Sequence, residues 1–113
     1  MVKKSKIKTV LIRGTFHFAG NNKSDFRGPI RKGFRPVVWC TNIYSEATSC
    51  SFISDVEISE GENKNVDIVV LNELQLLNKI EKGMILSIGS TIHKIGEFTV
   101  LDHLGEWHGG KVP

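Results

Sequence analysis

Four histidines, twelve carboxylates and two cysteines are the groups in this chain that could do acid–base, nucleophilic or metal chemistry. Their spacing argues against all three. His17 and His93 stand far apart in sequence. The run "DHLGEWH" gathers Asp102, His103, Glu106 and His108, but its histidines are five apart, which fits no standard zinc pattern. These residues read as a solvated tail. Asp55 and Glu57 are two apart, so on a strand they share a face, and they read as a solvent-facing row. No serine stands in a nucleophile elbow. Cys40 and Cys50 lack CxxC or Cys/His ligand spacing. They read as buried thiols in a reducing compartment, with a disulfide between neighbouring strands as the alternative. No GxxxxGK[ST] phosphate loop is present, so nucleotide binding is not expected. The expectation is no catalytic residue, no metal and no cofactor.

Binding chemistry is better supplied. Residues 23–35 hold five cations, Lys23, Arg27, Arg31, Lys32 and Arg35, with Phe26 and Phe34 between them. Cations meet phosphates and rings stack on bases, so this is one way to build a nucleic-acid grip. Lys94 and His93 form a second basic point. The charge is also polarised along the chain. Residues 1–36 carry ten cations and one anion, while residues 37–113 carry five cations and eleven anions. That asymmetry suits an acidic partner for one face. The alternative is that the two poles only solvate the protein or balance each other across strands.

The same stretch, "GPIRKGFRPVVW", is also backbone punctuation. Pro29, Gly33, Phe34, Arg35 and Pro36 read as a corner that starts a strand, because Pro36 lacks an N–H for a ladder. Gly33 is expected at positive φ. Arg35 is expected to pair with an acid such as Glu97 or Asp102, or to bond loop carbonyls. Arg27, Arg31 and Lys32 are the charges this corner need not have carried.

The elements that must position these groups have a period of two. "TVLIRGTFHF" reads as a strand over residues 9–18, although the basic-then-apolar start could suggest a signal peptide. Arg13, Thr15 and His17 interrupt the apolar run, which favours a strand and a cytoplasmic protein. "RPVVWC" is a second strand, and "TNIYSEAT" a corner. "SCSFISDVEI" is read as one third strand, with Cys50, Phe52, Ser54, Val56 and Ile58 on one side. "SEGENKN" is a turn. "VDIVV" is a strand of β-branched residues. Leu71, Leu74, Leu77 and Ile80 could mark a helix, but a strand followed by an extended or single-turn connection is preferred. "MILSIG" and "TIHKIGEFTVLDHL" complete about six strands. The whole, residues 1–113, is read as a single all-β domain. A small closed six-stranded antiparallel β-barrel spans about residues 6–105, and residues 106–113 form a glycine-rich tail that Trp107 would pin. The expected core is Leu11, Phe16, Phe18, Val38, Phe52, Ile68, Val70, Leu86, Ile88, Ile95, Phe98 and Val100. No run approaches the roughly 20 apolar residues of a membrane span.

With the strands placed, "RGTFHF…GPIRKGFRPVVW" resembles the opening of the third, C-terminal β-barrel domain of elongation factor Tu. Gly33-Phe34-Arg35-Pro36 matches that family's "GYRPQFY"-type motif, with Pro29 upstream. "VDIVVLNELQLLNKIEKGMILSIGSTIHKIGEFTVLDHLG" is similar to its closing stretch, with Gly83, Ile88, Ile95, Gly96 and Val100 in register. The resemblance covers about residues 6–105. It implies a six-stranded barrel without chemistry of its own, which packs on other domains and contacts the T stem of aminoacyl-tRNA and an exchange factor. The sequence departs from the family where that domain meets tRNA. His93 replaces an arginine, and Phe98 a glycine, so that close approach of RNA would meet a ring. Asp25-Phe26-Arg27 replaces a Gly-Arg-His run, and Val37 a glutamine. The expected function is a non-catalytic module that binds a protein: a toxin domain, which would make it an immunity or inhibitor protein, or a translation factor. The alternative is tRNA or RNA binding through the basic 23–35 loop. The expected contact residues are Lys23, Arg27, Arg31, Lys32, His93 and Lys94.

Overall fold

The computed structural model describes residues 8–24, 26–40, 46–76, 79–90 and 93–110. Part of the "TNIYSEAT" corner, the first two residues of "TIHKIG", Leu77 and the last three residues of the tail lie outside the described residues, as do residues 6 and 7 of the expected barrel.

Among the described residues eight strands run in chain order: β1 (Thr9–Phe18), β2 (Ile30–Arg31), β3 (Val37–Cys40), β4 (Thr48–Phe52), β5 (Glu57–Ile58), β6 (Asn63–Leu71), β7 (Ile85–Ser90) and β8 (His93–Glu106). Six of them close a barrel in the order β1-β6-β4-β3-β7-β8, with every pairing antiparallel. Closure leaves the barrel wall no unpaired edge.

Alternation sets the faces. In β1, Val10, Ile12, Phe16 and Phe18 join the central cluster, while Arg13, Thr15 and His17 point outward. The other five barrel strands supply Val38, Phe52, Ile68, Val70, Leu86, Ile88, Ile95, Phe98 and Val100. Every residue expected in the core is buried, and each large apolar side chain so buried contributes about 1.5–3 kcal/mol. Leu11 differs in place: it is 1% exposed but lies on the outward side of β1 and outside the central cluster. The ring of Phe98 passes so close over Gly14 that a Cβ there would stand 2.5 Å from it.

Two elements differ from the sequence expectation. "SCSFISDVEI" is not one strand. It bends at Ser54–Asp55, where the Ser54 hydroxyl accepts the Asp67 N–H (2.7 Å) and the Ser54 carbonyl accepts the Val56 N–H (2.9 Å). Asp55 and Glu57 therefore do not form one strand row. The released segment becomes β5 and pairs with β2, setting Ile30 opposite Ile58. Both isoleucines are fully buried in the same cluster as Phe18, so this two-stranded ribbon plugs one end of the barrel. Second, the turn in "SEGENKN" is shorter than its composition suggests, and β6 already begins at Asn63. The connection after β6 is a single 3-10 turn, Glu73–Leu76, followed by buried Ile80. Leu76 and Ile80 belong to the central cluster. β8 runs to Glu106, and the Trp107 N–H donates to the Thr9 carbonyl (2.8 Å).

Candidate functional site

The corner between β2 and β3 is held mainly by backbone. Gly33 N–H donates to the Phe52 carbonyl (2.8 Å), Phe34 N–H to Arg31 (3.1 Å), Phe52 N–H to Phe34 (2.8 Å) and Cys50 N–H to Pro36 (3.0 Å). Gly33 has φ +92°, the left-handed region its position required. The Gly28–Pro29 peptide bond is cis. Phe34 stacks on Phe26 with ring centroids 4.6 Å apart and an interplanar angle of 17°, and it also touches Phe52. Phe26 touches Phe18 in turn. These rings are half-buried and occupied by each other, so they do not form the free stacking platform considered for bases.

The cations of the region have different employments. Arg27 is exposed, yet its guanidinium donates to the carbonyls of Asn21 (3.0 Å) and Ser24, with longer contacts to Asn22 and Phe26. It staples its own loop. Asn21 extends that staple to β8, because its amide donates to the Lys94 carbonyl (3.0 Å) while Gly20 N–H donates to Ile95 (2.8 Å). Lys94 itself pairs with Glu97 at 2.7 Å. Between these strands lies an open cleft of about 370 Å³ lined in part by His17, Asn21, Lys94 and Glu97. Arg31 faces Glu57 across the ribbon at 3.6 Å, with both side chains largely exposed (67% and 58%). Lys23, Lys32 and Arg35 are exposed, and their side chains have no ion-pair or hydrogen-bond partner among the described residues. His93 is half-buried at the start of β8, opposite Ser90.

Arg35 therefore departs from expectation. Its expected acids are elsewhere: Glu97 is taken by Lys94, and Asp102 lies across the β1–β8 ladder from Arg13. Arg13 is also bonded to Asp67 (2.9 Å), and that hydrogen bond, then the Asp67 charge, push the guanidinium pKa up. Phe98 departs too. It points into the core, so it is no obstacle on the outer surface.

The structure also builds a site that the spacing arguments missed. Glu73, 5% exposed, accepts the Ile80 N–H (3.1 Å) and faces His103 Nε2 at 3.0 Å. His103 Nδ1 accepts the Gly105 N–H (3.1 Å), so the ring proton sits on Nε2 and is donated to the carboxylate. His103 is not a solvated tail residue. With both ring nitrogens engaged, it clamps β8 to the 3-10 turn. The stripe read through Leu71, Leu74 and Leu77 hid this arrangement, because Leu74 is 61% exposed while the neighbouring glutamate is buried. The other members of "DHLGEWH" are dispersed. Glu106 meets Lys8 and His108, each at 3.7 Å. No cluster of three or more His, Cys, Asp or Glu suited to a metal occurs among the described residues.

Cys40 and Cys50 are free thiols. Burial pushes both pKa values up, that of Cys50 far above the ordinary 9.0. No helix among the described residues is long and apolar enough to cross a membrane. No family model and no curated protein matches this chain.

Proposed function

We propose that the chain is a non-catalytic binding module, similar to the third β-barrel domain of elongation factor Tu, that docks an acidic protein partner on its β2–β3 corner. One observation carries the reading. Lys32 and Arg35 stand exposed, with no partner among the described residues, on a corner that four backbone hydrogen bonds and a phenylalanine stack hold in place. Charges presented on a rigid support lose little freedom on binding and speed encounter with an opposite surface. Arg31 belongs with them. An ion pair as exposed as Arg31–Glu57 is worth only about 0–1 kcal/mol, so a partner's carboxylate competes with it easily. Arg27 contributes to the shape of the surface and less to its free charge. A cytoplasmic immunity or inhibitor protein and a translation-factor mimic are the two settings that fit such a module. RNA is the weaker alternative, because Phe26 and Phe34, the rings beside these cations, stack on each other.

Affinity purification from the native cell, with proteins and RNA both sequenced, tests the reading. The Arg31→Glu, Lys32→Glu double variant is expected to lose the captured protein while melting like the wild type. Capture that survives the charge reversal overturns the assignment of the corner. Recovery of tRNA alone, with a gel shift that weakens steeply with salt, would replace the protein reading by the RNA one.

A further inference from the structure

Beside the corner, the outer wall of the barrel carries a trough of about 340 Å³. Its form follows from the alternation in β4. Cys50 and Phe52 point inward, so Ser49 and Ser51 point outward and are too short to fill the wall. Ser51 faces Val69 across β4–β6, and Leu71 of β6 faces Thr9 of β1. On the other side, the bonds Cys50 N–H to Pro36 and Phe52 N–H to Phe34 flank Arg35 and set it beside Ser51. The trough thus has an arginine on one bank, small hydroxyls along the floor and an aliphatic bank of Val69 and Leu71. Leu71 is 41% exposed, and Arg35 has no partner among the described residues.

We propose that this trough is the specificity pocket of the docking face, and that it takes a protein segment presenting a carboxylate two residues from an aliphatic side chain. The proposal rests on the binding-module reading above and names the partner's chemistry. A guanidinium offers a planar fork that matches a carboxylate. Opposite it, Leu71, beside the already buried Val69, gains by losing contact with water. In an extended segment, residues i and i+2 share a face about 7 Å apart, of the same order as the two strand spacings, about 10 Å, that separate Arg35 from Val69. The barrel is closed, so recognition runs through side chains rather than through strand addition.

The test is a titration of the whole protein with three probes, followed by ¹H–¹⁵N chemical shifts: acetyl-Glu-Ser-Leu-amide, acetyl-Gln-Ser-Leu-amide and acetyl-Glu-Ser-Ala-amide. The first is expected to give saturable shifts at Ser49, Ser51, Val69 and Leu71. The other two should bind at least about fivefold more weakly. Arg35→Gln should erase the difference between the Glu and Gln peptides. Leu71→Ser should independently erase the difference between the Leu and Ala peptides, so failure of either variant to fold leaves the other in force. Equal affinities for the three peptides, no saturable shift, or shifts confined to another surface overturn the proposal. So do trough resonances that move on dilution without peptide, since a second copy would then be the occupant. If the cellular partner requires Arg31 and Lys32 but ignores Arg35 and Leu71, the binding module stands and the trough assignment falls.

Discussion

Gly33 and Pro36 do for the corner what their chemistry allows and no other residue type does as cheaply. At φ +92°, a side chain on residue 33 would be strained even though a Cβ there meets nothing within 4 Å. Gly33→Val is therefore expected to lower stability by about 1–2 kcal/mol in urea unfolding, through backbone conformation alone. Pro36 ends the corner where β3 takes up its ladder. Both roles were legible because backbone chemistry is local. The role of Arg27 was not, since a guanidinium can serve a partner or its own loop, and only the folded loop brings the carbonyls of Asn21 and Ser24 to it. The thiols make a second residue-scale prediction. Cys50 is buried and its thiol is held protonated, so a maleimide should label Cys40 first and Cys50 only after unfolding. Because both folded pKa values lie above the ordinary 9.0, their contribution to stability is complete below that pH and declines as pH rises past it. A native protein whose two thiols reacted at the same rate would contradict the burial of Cys50.

At the scale of elements, period-two alternation located all six barrel strands, since one residue in two must face the core. It failed where two buried segments belong to different sheets. From Cys50 to Ile58 the same parity is kept except at Ile53-Ser54, and there Ser54 turns the chain and passes Ile58 to the ribbon. A single serine on the apolar side is the one mark the alternation leaves of that change. The 3-10 turn is the second such place. Glu73 serves both the Ile80 N–H and His103, so Glu73→Ala would leave two donors without their acceptor beside the 3-10 turn. It is expected to cost about 1–3 kcal/mol by urea denaturation, with Glu73→Gln recovering most of the loss because it keeps an acceptor. Equal losses in the two variants would mean that shape or charge, rather than the hydrogen bonds, accounts for the clamp.

For the whole molecule, the contrast between a basic first third and an acidic remainder is offset in part by topology. β1 lies between β6 and β8, which sets Arg13 against Asp67 and Lys8 against Glu106, while the ribbon sets Arg31 against Glu57. Cross-strand pairing thus engages three of the seven described cations of that third, while Arg27 serves its own loop and Lys23, Lys32 and Arg35 are left for a partner among the described residues. This is why reversal of Arg31 and Lys32 is expected to leave the melting temperature nearly unchanged. Neither side chain is buried, and the one ion pair lost is exposed at both ends.

The sequence by itself determined that the chain is all-β, where its six barrel strands lie and twelve of the side chains they bury, because alternation, prolines and glycines act over a few residues. It also marked the corner at Gly33–Pro36. The tertiary structure decided which cations are free, that Phe26 and Phe34 stack on each other, that Glu73 meets His103, and that Arg35 stands beside a trough of serines. Each of those depends on which distant strands become neighbours, and that pairing follows from closing the barrel as a whole.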